Sequence, residues 1–235
     1  MNDPTPLIVA NLKANKTWEE ISVWLDVVGL KANDFSGTVI FAPSYPFIAA
    51  AHQKIKSSRL RIKLASQDIS RFEQGAYTGE VAASQIANLC QYAIIGHSER
   101  RQNFSENDAI LAQKVQNAIH TNITVIFCVQ NAQTSIPPGI KIVAYEPVFA
   151  IGTGNPDTPE NAYTIAQRLK TRLARLAAKR AARQAKGDYI VIYGGSVTSE
   201  NTKSFLKSGI IDGLLVATNS LNPQNFNQII ESATI

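Results

Sequence analysis

Residues 7–15 read Leu-Ile-Val-Ala-Asn-Leu-Lys-Ala-Asn, a short apolar run that gives way to polar residues. Such a run is typical of a strand that is buried on both faces of a parallel sheet. In an open, doubly wound sheet, the turn after the first strand usually carries the glycine-rich motif GxGxxG. The turn in this chain contains no glycine, which favours a closed barrel over the open sheet.

Apolar runs and helical patterns alternate along the rest of the chain. Eight strands are predicted at residues 7–11, 38–41, 62–65, 92–95, 123–128, 142–145, 189–193 and 213–216. Helices are predicted at residues 18–31, 46–55, 82–89, 108–120, 158–185, 200–206 and 224–230. Regular alternation favours parallel pairing through right-handed crossovers, and eight such units close into a barrel. The sequence therefore predicts an α/β fold, a single (β/α)8 barrel domain over residues 1–235.

The composition is that of a globular protein, since 45% of the 235 residues are apolar and 17% are charged. No apolar run approaches the roughly 20 residues that a membrane span needs, and the first six residues do not resemble a targeting segment. We therefore expect a cytoplasmic protein without membrane contact. Cys90 and Cys128 have no metal-ligand neighbours, and burial as small hydrophobic residues is favoured over a disulfide.

The net charge of +5 has its densest basic segment between residues 168 and 186. Six of the basic residues there recur every three or four positions, opposite an apolar stripe at 165, 169, 173 and 176. This spacing predicts an amphipathic helix with a solvated basic face. Nucleic-acid binding is the alternative, but no aromatic platform or known binding module accompanies the charge.

Polar residues follow most of the predicted strands. They are Asn11, Lys13, Gln67, His97, Glu146, Gly194-Gly195-Ser196 and Thr218-Asn219-Ser220. In a barrel of this kind, the carboxyl ends of all strands meet at one mouth. A carboxylate, an imidazole, a lysine and a glycine-rich segment suited to binding an anion are therefore predicted to converge there.

Five segments, in chain order, resemble the triosephosphate isomerase family. They are Asn11-x-Lys13, GAYTGE at 75–80, GHSERR at 96–101, AYEPVFAIGTG at 144–154 and YGGSV at 193–197. The last three are highly specific, and together the five span the whole chain. The resemblance implies a TIM barrel that interconverts D-glyceraldehyde 3-phosphate and dihydroxyacetone phosphate in glycolysis and gluconeogenesis. It implies no cofactor and no metal.

The resemblance also implies roles for individual residues. Glu146 would be the general base, His97 the electrophile and Lys13 the positive charge beside the substrate, with Asn11 orienting Lys13. The substrate-binding set comprises Asn11, Lys13, Gly152, Gly195, Ser196, Ala217 and Thr218. The segment from Pro147 to Gly154 would form a lid that Tyr193 and Ser196 hold by hydrogen bonds. Glu99 is interpreted as a buried ion-pair partner, with a second proton-transferring acid as the alternative.

Three segments depart from the family pattern, at five positions. Ala217-Thr218 replaces a Gly-Gly pair, Gln130-Asn131 replaces Gly-Glu, and Phe149 replaces a Trp. If positions 217 and 218 need a positive φ, threonine is strained there; if they are helical, their amides still bind phosphate. Because no catalytic group is lost, we expect altered affinity or lid kinetics and retained activity.

The loop from Gln67 to Glu80 resembles the family segment that inserts into a neighbouring subunit. The resemblance thus implies a homodimer in which Thr78 approaches the partner subunit's Asn11. Two other functions remain open: a phosphate-binding barrel enzyme of another metabolic pathway, and a non-catalytic binding protein on the same scaffold.

Overall fold

The computed structural model describes residues 5–150, 154–178 and 189–234. Its centre is a closed barrel of eight parallel strands that follow one another in sequence order. The strands are β1 (Leu7–Asn11), β2 (Thr38–Ala42), β3 (Ile62–Ser66), β4 (Tyr92–Ile95), β5 (Thr124–Val129), β6 (Ile142–Tyr145), β7 (Ile190–Tyr193) and β8 (Gly213–Val216). The predicted (β/α)8 barrel is therefore confirmed, and each strand lies within one residue of its predicted bounds at either end.

Helices separate most of the strands around the barrel, with two between β4 and β5 and none between β5 and β6. They are α1 (Trp18–Asp34), α2 (Ile48–Ser57), α3 (Ala83–Ile86), α4 (Ser98–Asn103), α5 (Asp108–His120), α6 (Pro159–Ala178), α7 (Ser199–Leu206) and α8 (Pro223–Ser232). Short 3-10 helices occupy Tyr45–Phe47, Val148–Ala150 and Thr218–Ser220. Among the described residues, no helix is long and apolar enough to cross a membrane.

Two helices depart from the prediction. Helix α4 was not predicted, because its six residues, SERRQN, carry no apolar stripe. The helix predicted at 82–89 shortens to α3, because the N–H groups of Leu89 and Cys90 both donate to the carbonyl of Ile86 and turn the chain into β4. The predicted helix at 158–185 is seen as α6 through Ala178, and residues 179–185 lie outside the described residues.

The apolar core forms two layers. Alternate strand residues such as Val9, Ile40 and Ile126 fill the barrel interior, while the opposite faces pack against the helices. In the outer layer, the ring of Trp24 stacks on Phe41 with centroids 4.5 Å apart. The Trp24 Nε1–H also donates to the carbonyl of Ser220 at 2.7 Å, which fixes the segment after β8.

Of the basic residues on the described part of α6, Arg168 and Arg175 are exposed as predicted, whereas Lys170 and Arg172 are half-buried; the two cysteines behave as predicted. Lys170 pairs with Asp212 at 2.8 Å, and Arg172 donates to the carbonyls of Ala132 and Thr134. Cys90 and Cys128 are free and buried. Four further basic residues of that segment, Lys179, Arg180, Arg183 and Lys186, lie outside the described residues.

Candidate active site

A cavity of about 320 Å³ opens at the carboxyl ends of the strands. Eight of the nine predicted site residues line it: Asn11, Lys13, His97, Glu146, Gly195, Ser196, Ala217 and Thr218. The ninth, Gly152, lies outside the described residues. Larger cavities of about 500 and 470 Å³ lie elsewhere, but neither is lined by His97 or Glu146.

Lys13 is held in a left-handed backbone conformation, with φ of 53°. This region is unfavourable for a residue with a Cβ atom, so surrounding contacts must stabilise it. The Lys13 N–H donates to Asn11 Oδ1 at 3.0 Å, and its carbonyl accepts from Ser44 Oγ at 3.0 Å and Gln67 Nε2 at 2.8 Å. The loops after β1, β2 and β3 therefore fix the direction in which Lys13 leaves the backbone.

The Lys13 ammonium pairs with Glu99. Its Nζ atom lies 2.5 Å from Glu99 Oε1. The Glu99 side chain is 43% exposed, so the interpretation of Glu99 as a buried partner is wrong, although it does form an ion pair. The neighbouring Arg100 instead pairs with Asp68 and Glu106.

His97 caps the N-terminus of α4 and is nearly buried. Its Nδ1 accepts a hydrogen bond from the Glu99 N–H at 3.3 Å. In a neutral imidazole only one ring nitrogen carries a proton, so this contact assigns the proton to Nε2. The Nε2–H group is thereby available as a hydrogen-bond donor at the cavity.

Glu146 immediately follows β6 and is only 1% exposed. Its Oε2 accepts from the Ser98 N–H at 3.2 Å, and Oε1 lies 3.4 Å from His97 Nε2. No described residue hydrogen-bonds Oε1, which leaves this oxygen available to take a proton from a substrate. The Cys128 thiol lies beside the same carboxylate, and burial together with Glu146 raises the pKa of Cys128 well above its ordinary value.

Two glycines after β7 leave no room for side chains. A Cβ at Gly194 would lie 2.9 Å from Glu146 Cγ, and one at Gly195 would lie 2.2 Å from Tyr193 Oη. The Gly194 N–H donates to the Tyr145 carbonyl at 2.8 Å, so it is not free to bind an anion, contrary to the expectation for this pair. The amides of Gly195 and Ser196 make no hydrogen bond to another described residue.

The segment after β8 shows whether Ala217 and Thr218 adopt a positive φ. Ala217 has φ of −106°, and Thr218 begins a 3-10 helix, so neither residue is in the left-handed region. Thr218 is therefore unstrained. The N–H groups of Thr218 and Asn219, in the first turn of that helix, have no acceptor within it, and both residues line the cavity.

Residues around the predicted lid make contacts with β7 and its loop. Ser196 Oγ donates to the Ala150 carbonyl at 2.7 Å, and Tyr193 Oη accepts from the Asp157 N–H at 2.8 Å. Val148 and Phe149 are exposed, whereas Ala150 is buried. Residues 151–153 lie outside the described residues.

Sequence reasoning missed two residues that line the cavity. Leu215 contributes an apolar wall from β8 and carries no polar signal in the sequence. Thr198 is the N-cap of α7, where its hydroxyl accepts from the Asn201 N–H; a Thr-x-x-Asn pattern could have indicated this cap. Among the described residues, no group of His, Cys, Asp or Glu side chains is arranged to hold a metal ion.

A closed parallel barrel with its polar cavity at the carboxyl ends of the strands defines a (β/α)8-barrel enzyme. The family model described as "Triosephosphate isomerase" matches residues 6–233. The chain belongs to the triosephosphate isomerase family and is an isomerase. The resemblance drawn from the motifs is thereby confirmed.

Similar proteins cover the same length. The triosephosphate isomerase of Hahella chejuensis is 34% identical over 97% of this chain and 98% of the relative. Those of Thermus thermophilus and Paracidovorax citrulli are 32% and 36% identical, each over 97% of this chain and 98% of the relative. The similarity therefore includes the strand ends that build the cavity.

Proposed function

We propose that this cavity interconverts D-glyceraldehyde 3-phosphate and dihydroxyacetone phosphate, with Glu146 as general base and His97 as electrophile. The observation that carries the proposal is the pair itself: a buried carboxylate oxygen that accepts no hydrogen bond from a described residue lies 3.4 Å from His97 Nε2, the ring nitrogen to which the Glu99 contact assigns the proton. One group can take a proton from carbon while the other donates to the oxygen that becomes negative.

The two groups suffice for the proton transfers. Glu146 removes a proton from the carbon beside the substrate carbonyl, and the electron pair of that C–H bond moves toward the carbonyl oxygen. The Nε2–H of His97 stabilises the developing charge on that oxygen in the resulting enediolate. Glu146 then returns its proton to the adjacent carbon, while His97 gives its Nε2 proton to the former carbonyl oxygen and takes one from the neighbouring hydroxyl, so that the carbonyl moves by one position.

The substrate phosphate would be bound mainly by backbone amides. Gly195, Ser196, Thr218 and Asn219 offer N–H groups at the cavity, and Ala217 lies beside them. Such clustered amides bind anions without charged side chains. Lys13 adds a positive charge, and Asn11 orients it by accepting from its N–H. The role of Gly152 stays a prediction.

The segment from Pro147 to Gly154 would act as a lid over the bound substrate. The Ser196–Ala150 hydrogen bond supports this role, because it joins the segment to the loop after β7 (residues 194–198), called the phosphate loop below. A closed lid would exclude water and hold the enediolate, whose phosphate could otherwise be eliminated.

We further propose a cytoplasmic, single-domain enzyme that acts as a homodimer through the loop from Gln67 to Glu80. The base of this loop is tied by the Ser70 N–H to the Val81 carbonyl, and its tip is exposed. Beside the loop base lies the cavity of about 470 Å³, bordered by the exposed Phe104 ring. In the proposed dimer, the same loop of a second copy occupies this cavity.

Sedimentation of the wild type and of Thr78→Arg tests the dimer, which the arginine should weaken.

The activity is tested with purified protein and D-glyceraldehyde 3-phosphate, without added metal or nucleotide, beside Glu146→Gln. Fast isomerisation that is lost in the folded variant is the expected result. Phosphate binding without turnover would instead support a non-catalytic binding protein. Turnover of another phosphorylated substrate alone would support a barrel enzyme of a different pathway.

A further inference from the structure

A buried carboxylate lies directly after the predicted lid, outside the residues assigned to the reaction. Asp157 stands between Gly154 and the first turn of α6, and it is only 7% exposed. A buried carboxylate is costly unless donors satisfy it. The donors that satisfy Asp157 therefore indicate what it does.

The Asp157 carboxylate accepts hydrogen bonds on both oxygens. Oδ2 accepts from the Tyr145 hydroxyl at 3.0 Å, and Oδ1 accepts from the Thr158 N–H at 2.8 Å. The Asn161 side-chain amide lies 3.0 Å from Oδ1 and 2.8 Å from Oδ2. The Asp157 backbone N–H donates in turn to the Tyr193 hydroxyl at 2.8 Å. A single residue thus binds two buried tyrosines and the start of α6.

The two tyrosines adjoin the reacting groups. Tyr145 precedes Glu146, and Tyr193 precedes the Gly194-Gly195 turn that begins the phosphate loop. They are register partners on β6 and β7, and the Gly194 N–H donates to the Tyr145 carbonyl. Movement of either ring would therefore move the base or the phosphate loop.

In the hydrogen bond between Tyr145 and Asp157, the tyrosine hydroxyl is the donor and the carboxylate is the acceptor. Burial, followed by the Asp157 carboxylate, raises the pKa of Tyr145 above its ordinary value, so the hydroxyl keeps its proton and donates. A carboxylate accepts on two oxygens, whereas an amide has only one acceptor oxygen. Asparagine at 157 would leave either the Tyr145 hydroxyl or the Thr158 N–H without an acceptor.

We infer that Asp157 is a positioning residue, which acts through Tyr145 and Tyr193 to keep the base, the phosphate loop and the end of the lid in register. This inference rests on the proposed isomerase function. It assigns to Asp157 no contact with the substrate. The residue holds the backbone on either side of the site while the enediolate forms and is protonated.

A double-mutant cycle tests the inference. We expect Asp157→Asn and Tyr145→Phe each to lower kcat about tenfold, and the double variant to be no worse than Asp157→Asn alone, because both changes remove the same hydrogen bond, from the Tyr145 hydroxyl to the Asp157 carboxylate. Release of inorganic phosphate per isomerisation should rise in all three, since a misaligned site loses the enediolate to elimination. In that side reaction the C–O bond to phosphate breaks, and phosphate leaves with the electron pair.

Asp212→Asn is the matched control. Like Asp157, Asp212 bonds to β7, but its carboxylate accepts from the Val191 N–H at 2.8 Å, at the opposite end of the strand. The control should lose thermal stability and keep the wild-type kcat and phosphate release. Multiplied losses of about 100-fold in the double variant, or wild-type kinetics in Asp157→Asn, would overturn the inference. Absence of turnover in the wild type would instead reject the proposed function.

Discussion

The ammonium group of Lys13 lies 2.5 Å from Oε1 of Glu99, so the charge proposed for substrate binding already has a partner. Both side chains are partly exposed, and such pairs are weak because water screens them. A substrate phosphate that carries up to two negative charges can therefore compete for Lys13. The ion pair holds the ammonium near the cavity, and its positive charge can still attract the substrate phosphate.

Replacing Lys13 with alanine should damage binding and turnover together. We expect KM to rise at least about tenfold and kcat to fall about 100-fold, because a charge-assisted contact to phosphate and enediolate is lost. Steady-state kinetics in both directions measures this. Lys16→Ala removes a nearby positive charge that does not line the cavity and should stay close to wild type. An unchanged KM in Lys13→Ala would contradict the assigned role.

Shortening the base should test the geometry at Glu146. Glu146→Asp withdraws the carboxylate by about 1 Å, and we expect kcat to fall roughly 100-fold or more with folding intact. The variant keeps the negative charge, so a loss of kcat reports the position of the carboxylate and not its charge. Circular dichroism confirms folding, and kcat is measured with either triose phosphate. Turnover near that of the wild type would show that another group removes the proton.

The barrel could be predicted because each strand can be recognised from its own short stretch of sequence. Continuous apolar runs such as Leu7–Asn11 and Ile142–Tyr145 indicate burial on both faces, and their regular spacing leaves few ways to connect them. The predicted polar cavity residues and Gly195 stand just after such runs, whereas Ala217 was assigned to the site by the family resemblance. Helix α4 was missed because six polar residues carry no periodic signal, although His97 at its N-cap was singled out.

The remaining details depend on contacts between distant loops. The left-handed backbone of Lys13 is fixed by Ser44 and Gln67, which are 31 and 54 residues away in sequence. The bond from Asp157 to Tyr193 spans 36 residues. No local pattern encodes such pairs, so the sequence wrongly assigned the Gly194 amide to anion binding and left the conformation of Thr218 open.

A buried carboxylate away from the cavity should make stability depend on pH. Burial raises the pKa of Asp68 to about 6, against the opposing effect of Lys114, whose Nζ lies 2.5 Å away; Glu106 and Arg100 are its other charged neighbours. Between pH 4 and 6 the folded state thus binds more protons at Asp68 than the unfolded state does. The contribution of Asp68 to stability is present at pH 4 and is lost as the pH rises through 6.

Asp68→Asn removes this titration. We expect the free energy of unfolding of the wild type, minus that of the variant, to fall by about 2 to 3 kcal/mol between pH 4 and 6. Chemical denaturation at several pH values in this range measures the difference. A difference that stays flat, or rises with pH, would show that the pKa of Asp68 is not raised in the folded protein.

Thr218 should contribute a hydrogen bond that a Gly-Gly pair cannot offer. Its side chain is exposed at the cavity, makes no hydrogen bond to another described residue, and belongs to the first turn of the 3-10 helix whose amides face the same space. Thr218→Val keeps the β-branched shape and removes only the hydroxyl. We expect KM to rise about three- to tenfold with kcat nearly unchanged. Thr218→Ser, which restores the hydroxyl, should keep the wild-type KM. If Thr218→Val binds substrate and inorganic phosphate as well as the wild type does, the backbone amides alone hold the phosphate, and the hydroxyl is only tolerated there.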